Sequence, residues 1–357
     1  MSIERTIKQC SIVLTHNCNL RCNFCYAKSA GYVEDDSIEY DNLKRIVDFC
    51  CEAKVKYIFF TGGEPLTYIH LPKILRYIKA KHNPITTAIA TNGVLLKDMD
   101  LCRTLIDNGL GYIDVSMKGK NRQEWCEMTG YDGSESQHQA IRNLASLPID
   151  FTCSMVITPE NVQSFCESVQ IAHDNGAKQF SFTFIIDNDD VKEKNLSYLQ
   201  KHDPIKLVGD FISQIDKLSA ITDDWWVEYS FPMCVYTEEQ LKLLKGRLAT
   251  PCQIHLNNSV TLNTKMELLP CDMYIYQQLG KFGRDFSSYQ EFVSLTNDMS
   301  YRKIMNEIRK LPSDECTACE HFGVCYGGCP VLWKNYSFTA LKEFKAKGTP
   351  HSGVLGE

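Results

Sequence analysis

Three cysteines lie close together near the start of the chain, at Cys18, Cys22 and Cys25. Thiolates are strong metal ligands, but a closed zinc site normally takes four protein ligands and a disulfide framework takes an even number of cysteines. A group of three is more typical of a metal centre that keeps one coordination position free. We therefore predict a metal centre with one open position.

The composition indicates a globular protein that uses its cysteines for metal or redox chemistry. The chain has 357 residues, which favours one large domain or two ordinary ones, and 17 of them are cysteines. Its start lacks the layout of a signal peptide, and no segment is apolar for the roughly 18 residues that a membrane span requires. We expect a cytoplasmic protein with reduced thiols and no membrane partner. The formal net charge of −6 argues against nucleic acid as a partner.

Short β-rich segments alternate with segments of helical periodicity in the first half of the chain. The predicted strands are 10–15, 57–63, 86–93, 112–119, 151–158 and 179–185. The predicted helices are 41–53, 71–82, 98–108, 137–147 and 161–175. Because strand and helix alternate, the sheet is expected to be parallel. Six units are too few for a closed eight-stranded barrel, so we predict an α/β fold with an open, partial (β/α)6 barrel of the TIM type.

The notable polar segments follow the predicted strands. The three cysteines come after the first strand, and TGGEP at 61–65 ends the second. Thr-Asn-Gly at 91–93 ends the third strand, and Ser-Met-Lys at 116–118 ends the fourth. In parallel α/β folds the loops at the carboxyl ends of the strands converge and carry the chemistry. We therefore expect these four strand ends to face one pocket.

The spacing of the three cysteines, with Phe24 before the last of them and Gly-Gly-Glu-Pro at 62–65, resembles the radical S-adenosylmethionine (SAM) superfamily. The resemblance implies that the thiolates bind three irons of a [4Fe–4S] cluster and that the fourth iron chelates the amino and carboxylate groups of SAM. It also implies that one electron cleaves SAM to methionine and a 5′-deoxyadenosyl radical, which abstracts hydrogen from the substrate. A flavodoxin or a ferredoxin would be the reductant.

The same resemblance assigns the methionine and adenine ends of SAM to residues of this chain. Glu64 would accept the SAM ammonium, within the segment that ends at Pro65. Gly62 and Gly63 would let the backbone approach the methionine end. Phe24 would lie near the adenine.

Three further residues are candidates for the ribose or the carboxylate of SAM. They are Asn92, Ser116 and Lys118, for each of which an ordinary polar cap on a strand or turn is the alternative. Relatives often use an arginine after the fourth strand to bind the SAM carboxylate. Thr129 stands at the corresponding place in this sequence, which puts that contact in doubt.

A second group of cysteines lies in the C-terminal third of the chain. It consists of Cys316, Cys319, Cys325 and Cys329, preceded by Cys252 and Cys271. This spacing, with Gly-Gly-Cys-Pro at 327–330, resembles the SPASM extension of the same superfamily, which carries one or two auxiliary [4Fe–4S] clusters. The alternative interpretation of the paired cysteines is a zinc ribbon.

The ligand sets of the auxiliary clusters follow by analogy with SPASM proteins. The first set is Cys252, Cys271 and Cys329, and the second is Cys316, Cys319 and Cys325. The usual seventh cysteine is missing, because none follows Cys329, and Met266 replaces the usual glycine before the second cysteine. Cys234 is a candidate to complete the first cluster, which would leave the second closed by a carboxylate or open to substrate. In the alternative, Cys234 closes the second cluster and the first has three thiolates.

The remaining cysteines are expected to be mostly structural. Those at positions 50, 51, 102 and 166 fall in predicted helices, where buried free thiols are common. Cys153 lies in a predicted strand. If it faces the barrel mouth, it is a candidate hydrogen-atom donor to a substrate radical.

We expect residues 1–220 to form the barrel, 221–250 a bridge, 251–335 the auxiliary-cluster domain and 336–357 a C-terminal tail. Because SPASM relatives mostly modify peptides, the leading hypothesis is an oxidoreductase or maturase that acts on a ribosomally made peptide by crosslinking, epimerisation or oxidation. The first strand begins almost at once, so a separate leader-binding protein or leaderless recognition would be required. The alternatives are a dehydrogenase or mutase for a small molecule such as an aminocyclitol, and a non-catalytic iron–sulfur electron carrier.

Overall fold

The computed structural model describes residues 6–27, 36–186, 202–228, 231–249 and 251–348, whose strands form an eleven-stranded sheet. The strands are β1 (Gln9–Thr15), β2 (Tyr57–Gly62), β3 (Thr86–Thr91), β4 (Leu110–Met117), β5 (Asp150–Ile157), β6 (Gln179–Phe184), β7 (Trp225–Glu228), β8 (Leu248–Ala249), β9 (Ser259–Leu262), β10 (Glu267–Leu269) and β11 (Gly280–Lys281). They lie side by side in the order β11-β10-β9-β1-β2-β3-β4-β5-β6-β7-β8.

The strands β1 to β6 are the six that the sequence predicts, and each pairs in parallel with the next. Their bounds differ from the predicted ones by no more than two residues. The sheet does not close on itself, so the predicted open, parallel α/β barrel is confirmed.

Helices connect the successive strands and cover one face of the sheet. The first six are α1 (Tyr40–Glu52), α2 (Leu71–Ala80), α3 (Met99–Asp107), α4 (Arg122–Thr129), α5 (Ser134–Ala145) and α6 (Phe165–Asp174). The later helices are Pro204–Ile212, Ile215–Ser219, Glu238–Leu243, Gln253–Leu256, Tyr289–Asn297, Met299–Ile308, Phe322–Cys325 and Phe338–Gly348. Among the described residues, none of these helices has the length and apolar character needed to cross a lipid bilayer.

Apolar periodicity explains how the helices dock. In α2 the buried residues are Leu71, Ile74, Leu75 and Ile78, whose spacing of three and four places them on one side of the helix. They join a core that contains fully buried strand residues such as Ile58. The polar residues of the strand ends are thereby held at the edge of a close-packed layer.

The segment that we expected to be a bridge, 221–250, contains two short strands of the sheet. Within it β7 pairs with β6 through Phe180 and Trp225, and β8 pairs with β7 through Val227 and Leu248. The expected tail, 336–357, also contains a helix up to its last described residue, and residues 349–357 lie outside the described part. Short strands with few residues carry a weak periodic signal, which is why the sequence did not predict them.

The C-terminal region is joined to the barrel by backbone pairing and by aromatic packing. Strand β9 pairs in parallel with β1, in register from Gln9 and Ser259 onward. Phe49 of α1 packs against three phenylalanines of the C-terminal region, with ring centroids 5.6–5.8 Å away: Phe282, Phe286 and Phe292. The two regions therefore share one sheet and one core.

Candidate metal and cofactor site

Cys18, Cys22 and Cys25 lie in the segment 16–27, here called the cysteine loop, which follows β1. The backbone N–H of Leu20 donates to Cys18 Sγ at 3.4 Å. Burial raises the pKa of Cys18 to about 11, and the negative charges of neighbouring groups, including the other two thiolates, act in the same direction. The three thiols are thus near one another, and a bound metal cation would remove the penalty of ionising them together.

One side of the cysteine loop lies directly on the end of β2. The N–H of Gly63 donates to Thr15 O at 2.7 Å, and the N–H of Glu64 donates to Asn17 O at 2.8 Å. A Cβ atom at Gly62 or Gly63 would lie 2.3 Å from a carbonyl oxygen of Thr15 or Asn17. The glycine pair is therefore needed for this backbone contact, which the sequence did not reveal. The role of Gly62 and Gly63 beside the methionine end of SAM stays a prediction.

The other side of the cysteine loop is held by the end of α4. The N–H of Arg21 donates to Thr129 O at 3.0 Å, and the N–H of Asn23 donates to Met128 O at 2.9 Å. The Thr129 hydroxyl donates to Trp125 O at 2.8 Å. Thr129 is buried and its side chain is used within the helix end. It therefore supports the loop, and it does not take the place of an arginine.

Glu64 ties the end of β2 to the end of β3. Its Oε1 accepts hydrogen bonds from the Thr91 hydroxyl at 2.7 Å and from Leu66 N at 3.1 Å, and its Oε2 accepts one from Asn92 N at 2.8 Å. Burial raises the pKa of Glu64, and these hydrogen bonds oppose the shift. Pro65 begins the short turn that follows. Since a carboxylate offers about four acceptor positions, Glu64 retains capacity for an ammonium donor.

The side-chain amide and the backbone oxygen of Asn92 are all engaged in hydrogen bonds. Its Nδ2 donates to Asn19 Oδ1 at 2.7 Å, and its Oδ1 accepts from Val94 N at 3.0 Å. Its backbone oxygen accepts from Gln137 Nε2 at 2.8 Å. These contacts favour the alternative in which Asn92 caps the turn after β3.

Lys118 brings a positive charge to the same strand ends, although only 7% of its surface is exposed. Its Nζ donates to Ser116 Oγ at 2.7 Å and lies 5.2 Å from the centroid of the Phe24 ring. Burial raises the pKa of Cys22, and the charge of Lys118 opposes that shift. Phe24, Ser116 and Lys118 are therefore brought together next to the cysteine loop.

The cysteines predicted for the first auxiliary cluster are also close to one another. Burial raises the pKa of Cys271 well above its usual value, and the charges of Cys329, Asp272 and Cys252 act in the same direction. Burial likewise raises the pKa of Cys329 to about 12, with a further contribution from Cys252. The structure thus assembles three thiols here from distant parts of the sequence.

The cysteines predicted for the second auxiliary cluster share a cavity with Cys234. The thiols of this cavity are Cys234, Cys316, Cys319 and Cys325. Cys234 therefore lies beside the second set, as in the alternative in which it closes the second cluster, and its role as a ligand stays a prediction.

The position of Cys153 does not support its role as a hydrogen-atom donor. Its side chain is 0% exposed and lies in the core, whereas the next residue, Ser154, lines the cavity inside the barrel. Successive side chains of a strand point to opposite faces of the sheet. Cys153 therefore does not face the barrel mouth.

Tyr26 and Asp272 come from distant parts of the chain, lie close enough for the charge of Asp272 to act on Tyr26, and were missed by sequence reasoning. Burial raises the pKa of Tyr26, and the charges of Asp272, Cys25 and Cys271 contribute to this shift. Asp272 is itself buried enough to have a pKa of about 6. The available signal was their position, since each directly follows a predicted cysteine ligand.

The interior of the open barrel carries polar side chains beside the apolar Phe59, Met155 and Val156. A cavity of about 430 Å³ is lined by residues that include Asp114, Ser154, Ser181, Thr183 and Glu228. Burial raises the pKa of Asp114 to about 6, and a hydrogen bond with Ser154 opposes this shift. The alternation of apolar and polar residues in β4 and β5 was the sequence signal for this lining.

The thiol groups fit iron–sulfur clusters in number and placement. Within the described residues, no three Cys, His, Asp or Glu side chains are grouped as ligands of a single metal ion. A cluster keeps its thiolates farther apart, because iron and bridging sulfide lie between them. The cysteine loop, with three thiols beside the Glu64 carboxylate, accordingly fits a cluster with one open iron.

The comparison with protein families agrees with this site. Residues 12–172 match the model of the radical SAM superfamily. The chain carries a radical SAM domain. Proteins of this superfamily use a [4Fe–4S] cluster and SAM, so these are its cofactors.

Among curated proteins, the radical SAM domain has relatives of several activities. One is the GTP 3′,8-cyclase of Chlorobaculum tepidum, which is 30% identical over 145 residues, covering 40% of this chain and 43% of that protein. The chain thus spans about half the length, or less, of the curated relatives it matches.

Two solved structures share the fold along nearly the whole chain. SuiB of Streptococcus suis, bound to the precursor peptide SuiA, has a TM-score of 0.65 and 17% identity, covering 93% of this chain and 75% of that one. The enzyme anSMEcpe with bound AdoMet and Cp18Cys peptide has a TM-score of 0.67 and 19% identity, covering 95% of each chain. The fold likeness therefore extends beyond the radical SAM domain into the C-terminal cysteine region.

Proposed function

We propose that the protein is an enzyme that cleaves SAM reductively and modifies a ribosomally made peptide by hydrogen abstraction. The observation that carries this proposal is the fold likeness, over more than nine-tenths of the chain, to two proteins described with a bound peptide. Both solved structures cover the C-terminal cysteine region as well as the radical SAM domain. A bacteriocin biosynthesis protein, AlbA of Bacillus subtilis, is also similar in sequence, at 27% identity over 49% of this chain.

The roles proposed at the strand ends come from the resemblance to the radical SAM superfamily, and the positions of the side chains support them. Cys18, Cys22 and Cys25 hold the cluster, and Glu64 accepts hydrogen bonds from the SAM ammonium. Lys118 pairs with the SAM carboxylate, in place of the absent arginine. When bound, the cluster and SAM supply a 5′-deoxyadenosyl radical that abstracts a hydrogen atom from the substrate.

The barrel interior offers a place for the substrate side chain. The cavity of about 430 Å³ is large enough for a side chain and is lined by hydroxyl and carboxylate groups. Asp114 lies two residues before Ser116 on the same strand, hence on the same face and below Lys118. A side chain entering from the strand ends would pass the SAM site before it reaches Asp114.

The proposal is tested with anaerobically reconstituted protein, SAM and a strong reductant. We expect release of 5′-deoxyadenosine and methionine in equal amounts, at a slow rate without substrate and a faster rate with a pooled library of synthetic peptides. Nucleosides are measured by liquid chromatography, and modified peptides by their change in mass. An electron carrier would release neither product.

The controls separate the substrate classes. Cys22→Ala should abolish release, whereas Cys126→Ala, at an exposed cysteine outside the three thiol groups, should leave it unchanged. Stimulation by GTP and not by peptides would favour the small-molecule alternative. S-adenosylhomocysteine as the sole nucleoside product would contradict the radical mechanism.

A further inference from the structure

A cavity in the C-terminal region is faced by four thiols. It has a volume of about 300 Å³, and its apolar lining includes Met233, Phe322, Trp333, Phe338 and Leu341. The thiols are those of Cys234, Cys316, Cys319 and Cys325, and we call this site the four-cysteine pocket.

We propose that the four-cysteine pocket binds one iron–sulfur cluster through all four of its thiolates, with Cys234 as the ligand that the sequence pattern lacks after Cys329. This rests on the proposed function for the identity of the metal. The cluster has no open iron. It transfers electrons or stabilises the fold, and it does not bind substrate.

The turn Met233–Val235 lies directly on the C-terminal cysteine segment. The N–H of Met233 donates to Cys325 Sγ at 3.4 Å. A Cβ atom at Gly328 would lie 2.8 Å from Pro232 N, so only glycine allows the backbones to approach this closely. Backbone contacts therefore place Cys234 next to Cys325.

The helix Phe338–Gly348 fixes the same turn from the other side. Lys345 Nζ donates to Cys234 O at 2.7 Å and to Tyr236 O at 2.8 Å. These bonds orient the turn and bring a positive charge to the pocket. A cation next to thiolates stabilises their ionised form, which is the form that binds iron.

The spacing of the thiols favours a cluster over a zinc ion. Zinc lies about 2.3 Å from each thiolate sulfur, so its four ligands are close together. Within the described part of the chain, no three such side chains are grouped closely enough to hold a single metal ion.

The assignment of Cys234 has a consequence for the first auxiliary set. All 17 cysteines lie in the described residues. Those outside the three thiol groups either lie in the core or pack against it, or are exposed on α4: Cys10, Cys50, Cys51, Cys102, Cys126, Cys153 and Cys166. The first set therefore keeps three thiolates, and the free coordination position belongs to that cluster.

The test uses full-length protein in which Cys18, Cys22 and Cys25 are replaced by alanine, so that only the auxiliary clusters remain. Adding Cys234→Ala should either remove about four irons or change the electron paramagnetic resonance spectrum of the cluster that remains. Adding Cys126→Ala, the matched control, should change neither. Neither measurement depends on SAM cleavage, so the result is independent of the proposed reaction.

A second measurement uses no variant, so misfolding of a variant cannot affect its result. In the loaded protein with its natural cysteines, iodoacetamide should label Cys126 much faster than Cys234, and removal of iron should expose Cys234 to labelling. Equal labelling of both cysteines in the loaded protein, or a Cys234→Ala variant with unchanged iron and spectrum, would overturn the assignment. Zinc at this site in place of iron would overturn the assignment of an iron–sulfur cluster to it.

Discussion

Lys118 is the residue that we propose as the partner of the SAM carboxylate. Its ammonium is nearly buried, lies over the Phe24 ring and donates to Ser116. The Thr129 hydroxyl donates a hydrogen bond within α4, and its carbonyl oxygen accepts one from the cysteine loop. A buried ammonium beside the cysteine loop would pair with the carboxylate of SAM when SAM is bound, since charge-assisted hydrogen bonds are stronger in a desolvated site.

Replacing Lys118 by methionine should weaken SAM binding by about tenfold or more, because a hydrogen bond to a charged group contributes roughly 1.5–3 kcal/mol. Binding is measured by anaerobic equilibrium dialysis on the reconstituted protein, and the iron content should stay unchanged. Lys120→Met is the matched control, since Lys120 is paired with Glu167 at the surface. Wild-type SAM affinity in Lys118→Met would show that the carboxylate is held elsewhere.

Glu64 is a less suitable residue for testing SAM binding by mutation. It accepts three hydrogen bonds from the ends of β2 and β3, so Glu64→Ala removes a fold contact together with the predicted SAM contact. Weaker SAM binding in that variant would have two causes, which is why Lys118 gives the cleaner test.

The elements that matter most are those that hold the cysteine loop. The loop makes backbone hydrogen bonds to the end of β2 on one side and to the end of α4 on the other. The first contact requires glycine at 62 and 63, because any side chain there would overlap the loop carbonyls. Cluster geometry therefore depends on the packing of three chain segments.

Gly63→Ala should lower the cluster content of the cysteine loop, because its Cβ would lie 2.3 Å from Asn17 O and force the loop away. Iron and sulfide analysis should show a loss of up to about four irons per chain. The control is Gly209→Ala, where no atom lies within 4 Å of the new Cβ. Full iron content in Gly63→Ala would mean that the loop tolerates the displacement.

Sequence reasoning found the elements that are local in the chain and missed those that depend on distant pairing. The six long strands and the polar residues at their ends were predicted, because alternation and turn residues are readable within a few positions. The two-residue strands β8 and β11 carry no such signal. The placement of Cys234 in one cavity with Cys325 joins residues that are far apart in the chain, so spacing within a motif could not decide it.

At the scale of the whole molecule, the barrel and the C-terminal region form one structural unit. Strand β9 completes the edge of β1, and Phe49 packs into the aromatic group of the C-terminal region. An exposed strand edge promotes association between chains. We therefore expect that the predicted boundaries at 220 and 250 do not separate independently folding parts.

A fragment of residues 1–228 should form soluble oligomers or aggregate, because it exposes the edge of β1 and the partners of Phe49. Size-exclusion chromatography and thermal unfolding are the measurements. A chain shortened after Gly348 keeps every described element and should behave as the full chain does. A monomeric 1–228 fragment with a cooperative unfolding transition would show that the barrel folds alone.

The contact between the turn that carries Cys234 and Cys325 also sets the order in which the pocket can be assembled during synthesis. The two residues are about 90 positions apart, a length that a ribosome adds in roughly 5 to 20 seconds. During that interval Cys234 has emerged without its partner thiols and is open to oxidation. Iron delivery to this pocket has to wait for a nearly finished polypeptide, whereas the cysteine loop has all its supporting segments once α4 has been synthesised.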